Sequence, residues 1–198
     1  MRFWAGLAIG LLLLTGQREA PRLNKADGDR FNTKLQRIVT IGNTPRAKAA
    51  PAQNTQVTDA EVNAYLKFHA QEQIPVGVVD PMIFANGDGI VSGTATVDLD
   101  AVRSQKQRGW LDPMSYLTGK LPLSARGRLT ATNGVGRFQL ESAELSGVTI
   151  PKTLVQELLS FYSKTPENPA GINMDDPFEL PSQIREIRVA AGTATIVQ

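Results

Sequence analysis

Two stretches of period-two alternation constrain this chain more than anything else in it. Val91, Gly93, Ala95, Val97 and Leu99 alternate with Ser92, Thr94, Thr96 and Asp98. Leu121, Leu123, Ala125, Gly127, Leu129 and Ala131 alternate with mostly polar residues. Successive side chains of a strand point to opposite faces, so each stretch predicts a strand with one apolar and one wetted face. Asn86-Gly87-Asp88-Gly89 and Asn133-Gly134 are turn sequences that tolerate positive φ. Each alternating strand therefore belongs to a hairpin, with Gly77 to Ala85 before the first and Gly136 to Val148 returning from the second. In that return strand the apolar phase moves from Phe138 and Leu140 to Ala143 and Leu145. One extra residue flips the face, so a β-bulge is expected near Ser142.

Helices flank the hairpins. Thr58 and Glu61 have capping-box spacing, and Val57 and Val62 stand where a hydrophobic staple would form. The helix they start is expected over Asp59 to Gln73, with Val62, Tyr65, Leu66 and His69 on one face and Ile74-Pro75 ending it. A second helix follows Ile150-Pro151 with the apolar stripe Leu154, Val155, Leu158, Leu159 and Tyr162. Ile184 to Ala190 and Thr193 to Val197 read as a terminal hairpin. The order is αββββαββ, which places the chain in the α+β class: a curved, mostly antiparallel sheet of about six strands packed on helices.

The rest of the chain divides into three parts. Phe3 to Thr15 is an uncharged apolar run after Arg2, shorter than the roughly 20 residues of a membrane span and of signal-peptide length. Residues 1–20 are thus read as a signal peptide or N-terminal membrane anchor, which predicts export to the periplasm or cell envelope, free or tethered. Residues 21–56 read as a polar linker: 17–30 are polar, Phe31, Leu35, Ile38 and Val39 allow one short amphipathic helix over 31–41, and 42–56 are rich in Pro, Ala, Asn and Gln. Residues 57–198 form the α+β domain.

Composition excludes several chemistries. The 198 residues contain no cysteine, which removes disulfides, thiol catalysis and cysteine-held zinc or iron–sulfur centres. At 41% hydrophobic the chain can bury a core, and a net charge of +2 without a dense basic face argues against a nucleic-acid partner. His69 is the one histidine, and no nucleophile motif accompanies it. Asp98 and Asp100 share one strand face and, with Asp88, could ligate a hard cation; charged outer-face residues are the better reading. Asp175-Asp176 reads as loop punctuation. Gly134-Val135-Gly136 lacks the strand–loop–helix setting of a dinucleotide site. No catalytic residue, metal site or cofactor is assigned.

Two features point to binding instead. Arg103, Lys106 and Arg108, with Lys120, surround Trp110, Leu111, Met114, Tyr116 and Leu117. Cations beside aromatic and aliphatic groups suit a membrane surface; equally, Trp110 and Leu117 suit a helical lid over the sheet end. The apolar face also carries small residues, Gly93, Ala95, Ala125, Gly127, Ala131 and Ala143, which leave room either for close packing or for a ligand chain.

From Val57 to Val197 the chain resembles TULIP-like lipid-binding domains and the LmeA-type periplasmic proteins of the bacterial envelope. The residues that carry the resemblance are Thr58 to Leu66 (TDAEVNAYL), Val97-Asp-Leu-Asp100, Ser146 to Pro151 (SGVTIP), Phe178-Glu-Leu-Pro181 and Ile184-Arg-Glu-Ile187. The resemblance implies a curved sheet wrapped on a helix as a single lobe, with an apolar groove for acyl chains. Periodicity then nominates Leu66, Val97, Leu129, Phe138, Leu154 and Leu158 as groove residues, with Arg103, Lys106, Arg108, Trp110 and Leu117 at a mouth meeting the membrane. The expected partner is a lipid or other hydrophobic small molecule. The alternative is a scaffold that docks an envelope protein through a sheet edge or the basic–aromatic segment.

Overall fold

The computed structural model describes residues 23–45, 51–105, 118–166 and 168–198. Its elements run α1 (Lys25–Asn43), β1 (Asn54–Thr58), α2 (Asp59–Phe68), a 3₁₀ turn (Gln71–Gln73), β2 (Val78–Gly87), β3 (Ile90–Asp98) and α3 (Leu99–Gln105). They continue with β4 (Lys120–Thr132), β5 (Val135–Leu145), β6 (Val148–Thr149), α4 (Lys152–Tyr162), β7 (Phe178–Glu179), β8 (Glu186–Ala190) and β9 (Thr193–Val197). The fold is α+β, with a curved antiparallel six-stranded sheet in the order β2-β3-β4-β5-β6 and β7 also on β5. The terminal hairpin is not part of that sheet: β8 and β9 join β1 in a three-stranded sheet of order β1-β9-β8.

Register explains the apolar face. Directly opposed residues of antiparallel strands share a face, and Val97 faces Leu121, Ala95 faces Leu123, Gly93 faces Ala125 and Val91 faces Gly127. Across the next pair, Leu123 faces Leu145 and Ala125 faces Ala143, whereas Gly127 faces Leu140 and Leu129 faces Phe138. Ser142 and Leu140 oppose the consecutive residues Arg126 and Gly127, so Glu141 is the extra residue of a bulge. That bulge keeps both phases of β5 on one face, as the apolar shift requires.

The small residues on this face are filled by aromatic rings as well as spanned by strands. A Cβ on Gly127 would collide with the Phe138 ring, and one on Gly136 with the Phe178 ring. The glycines thus leave room for those two rings.

α1 contains the short amphipathic helix expected over 31–41 and extends it at both ends into residues expected to be solvated linker. Asn24 caps it by accepting from the Asp27 N–H, and the helix runs on through Asn43. Ile38 joins Ala131, Leu180 and Ile184 in the hydrophobic core, against which Leu129, Ile187 and Ile196 pack. Residues 54–56, also placed in the linker, form β1 together with Val57 and Thr58, and the strand pairs with β9 along its full length. α2 carries the capping box at Thr58 and Glu61 but ends at Phe68, short of Gln73. Its buried residues are Glu61, Asn63 and Ala64, not the Val62–Tyr65–Leu66–His69 face.

α1 and α2 are joined by polarity as much as by apolar contact. Gly28 approaches the Ala64 backbone so closely that any Cβ there would press on it. Lys34 Nζ donates to both Glu61 oxygens at 2.7 and 2.8 Å, and Arg30 Nε stands 3.7 Å from Oε1. Burial would raise the Glu61 carboxyl, but Lys34, together with the Thr58 backbone N–H, holds it below its ordinary value of 4.5.

Candidate functional site

β2 is an edge strand, and its upper half is closed by α2. Asn63, fully buried, donates from Nδ2 to the Ile83 carbonyl at 2.8 Å and accepts the Ile83 N–H at 2.7 Å on Oδ1. Asp59 Oδ1 accepts the Ala85 N–H at 3.0 Å, and Gly192 N–H donates to the Ala85 carbonyl at 2.8 Å. These bonds substitute for a neighbouring strand and blunt the edge against pairing with another chain.

Below Ile83 this capping stops, and there the structure opens a cavity of about 420 Å³. Leu66, Ile74, Val78, Val79, Pro81 and Met82 supply its apolar wall, with Leu23, Lys67, Gln71 and Asp80 completing it. Its volume lies within the range of small-molecule sites. The local sequence makes the opening. Between Val79/Thr96 and Met82/Thr94 the ladder slips, so Asp80 and Pro81 are pushed out as an irregularity. Asp80 takes φ 47°, and Pro81 has no N–H to offer a neighbour. Phe68, Val76 and Val79 remain exposed at 38, 55 and 36%.

Of the six groove candidates, Leu66 lines this cavity and the other five do not. Val97, Leu129 and Phe138 do share one sheet face by register. Leu121, opposite Val97, is eight residues from Leu129, roughly 27 Å along the strand, so Val97 and Leu129 cannot wall one small pocket. Leu129 packs against the core, and the Phe138 ring covers Gly127. Leu154 and Leu158 lie on α4, which packs on β5; Leu154 is 36% exposed and Leu158 half-buried. Arg103 lies on α3, while Lys106, Arg108, Trp110 and Leu117, like the apolar run Phe3 to Thr15, lie outside the described residues. Among the described residues no helix is long and apolar enough to cross a membrane.

The polar candidates are placed as follows. His69 caps the end of α2, with Nε2 2.8 Å from Asp29 Oδ1 and its ring stacked on Tyr65 at 5.7 Å. Among the described residues no Ser or Thr hydroxyl hydrogen-bonds to it. Asp98 Oδ1 accepts the Ala101 N–H at the start of α3, and Asp100 Oδ2 accepts the Gly119 N–H, both at 3.0 Å. Asp88 sits in the β2–β3 turn at φ 52°. Asp175 pairs with Lys152 at 2.6 Å. Among the described residues no three His, Cys, Asp or Glu side chains converge. Sequence reasoning missed Asn63, Ile74 and the Val78–Met82 segment as parts of the site. The one signal was Asp80-Pro81, a turn-like pair inside an apolar stretch.

No family model matches the chain, and no curated protein matches it. Among solved structures, the crystal structure of lipopolysaccharide binding protein aligns over 79% of this chain at 16% identity, with a TM-score of 0.23. The chain spans under half, 45%, of that protein's length. The α+β assignment therefore rests on the registers of this chain's own strands.

Proposed function

We propose that this protein is a non-enzymatic envelope protein that holds a lipid or other hydrophobic small molecule, as TULIP-like domains do. The observation that carries this reading is the 420 Å³ cavity at the open end of the β2 edge, walled by Leu66, Ile74, Val78 and Met82. A wall of this kind gains stability by taking apolar surface out of water, at about 25 cal/mol per Å², and it selects for an alkyl chain over a polar metabolite. The uncharged run Phe3 to Thr15 supports export, with the chain released or tethered at the envelope. A role in lipid handling or envelope maintenance follows from those two features together.

The test is titration of the full chain with a fluorescent fatty-acid analogue. Saturable one-to-one binding that Leu66→Arg abolishes, with the thermal midpoint little changed, supports the reading. Absence of saturable binding, or binding indifferent to Leu66→Arg, rejects it. The scaffold reading is favoured by a different observation, the exposure of Val148 at 69%, Ile172 at 52% and Phe178 at 45%. Co-purification of one stoichiometric envelope protein with an empty cavity would select it.

A further inference from the structure

We infer that the cavity beside β2 opens onto the surface of a lipid bilayer, with Phe68, Val76 and Val79 seated in the facing leaflet. The inference rests on the hydrophobe-binding reading above and names the source of the ligand. Two observations carry it. The first is the rim. Val79 lines the cavity and is still 36% exposed; Val76, at 55%, lies between the lining residues Ile74 and Val78; Phe68, at 38%, follows the lining Lys67. Apolar side chains left in water around an apolar mouth mark an interaction surface. Lys67 Nζ stands 5.8 Å from the centre of the Phe68 ring. That pairing suits a membrane interface, where the ring sits at headgroup level and the ammonium reaches a lipid phosphate.

The second observation is where the chain enters. Leu23 lines the same cavity, and residues 16–22 alone separate it from the uncharged run Phe3 to Thr15. Seven residues reach at most about 25 Å, whereas a domain of this size is about 40 Å across. With the run held in a bilayer, the side that bears Leu23 and the cavity is kept toward that bilayer. Arg18, Arg22 and Lys25, offset by Glu19, leave this stretch positive, as anionic headgroups favour. A protein partner would account for the rim but not for the tether that enters beside it. Ligand then passes between leaflet and cavity without crossing water.

The absence of cysteine lets a single reporter be placed on the full chain. Val76→Cys and, separately, Val148→Cys are labelled with a nitrobenzoxadiazole fluorophore and reconstituted with vesicles of phosphatidylethanolamine and phosphatidylglycerol. Val148 is 69% exposed on β6, at the opposite edge of the sheet from β2. Emission from the Val76→Cys label should shift to the blue and be quenched by headgroup nitroxide lipid, while the Val148→Cys label does neither. Phe68→Cys should repeat the Val76→Cys result, and unchanged thermal midpoints show that the fold is intact. Equal quenching at the two sites, or none at Val76→Cys, means a domain hanging free on its tether and overturns the inference. The hydrophobe reading then still stands or falls by the fatty-acid titration. A blue shift at Val76→Cys that is the same without vesicles puts the chain's own Phe3 to Thr15 run on the rim, and also overturns it.

Discussion

The end of the molecule where α1 and α2 meet the β1-β9-β8 sheet and the lower margin of β2 are built from similar materials and reach opposite outcomes. At the first, Ile38, Ala131 and Ile184 are buried, and Asn63 and Gln198 are almost entirely shielded from water. Gln198 donates to the Ile38 and Ser182 carbonyls at 2.9 and 2.6 Å, tying α1 to the last strand. At the second, Val76 and Val79 stay in water beside a cavity. The difference is cover rather than hydrophobicity: α2 supplies hydrogen-bonding side chains to β2 as far as Ile83, and beyond it Leu66 and Lys67 of α2 line a cavity with the Asp80-Pro81 irregularity instead. The cavity is made here by stopping the cap of an edge strand.

If that comparison holds, damage to the closed end should cost the most. Ile38→Ala should lose about 3 to 4 kcal/mol of unfolding free energy, because it empties a core position between α1 and β4. Urea denaturation followed by circular dichroism measures it. A loss near zero would make α1 a dispensable extension. Asn63→Ala should cost about 2 to 3 kcal/mol, since it strands the Ile83 N–H and carbonyl at a buried edge.

The Lys34–Glu61 pair gives a pH test of the same end. The Glu61 carboxyl is held below 4.5 in the folded chain, so its contribution is complete above about that pH and is lost as pH falls through the lowered folded value. The urea midpoint should fall across that acidic window, and Lys34→Met should flatten the fall. The smallest effect belongs to the exposed Glu186–Arg188 pair, 2.7 Å apart on β8. Arg188→Ala should leave the midpoint unchanged, which would show that surface ion pairs do not hold the closed end together.

What the sequence made legible follows from these forces. Features that rest on local pattern could be read: the capping box at Thr58 and Glu61, the alternation in β3 and β4, and the β5 bulge, which Phe138, Leu140, Ala143 and Leu145 announce by their phase. α1 was legible over 31–41, where Phe31, Leu35, Ile38 and Val39 mark an apolar stripe, but its first turns were hidden because Asp27 and Gly28 are buried through ion pairing and close backbone approach. β1 was hidden because NTQVT is short and mostly polar, and it is a strand through its pairing with β9. The site was only partly legible. Leu66 was found by helical periodicity, but the cavity also depends on where Asn63 stops capping β2, a relation between residues 20 apart in sequence. Periodicity selected Leu129 and Phe138 correctly as apolar-face residues, but it cannot tell a residue that packs from one that waits for a ligand.

The most direct test of the central claim is mass spectrometry of small molecules extracted from the full chain purified after export to the envelope. The account predicts a stoichiometric amphiphile that is lost from Leu66→Arg and retained by Arg188→Ala. A stable, monodisperse protein that carries nothing, and that takes up no amphiphile when one is supplied, would contradict it.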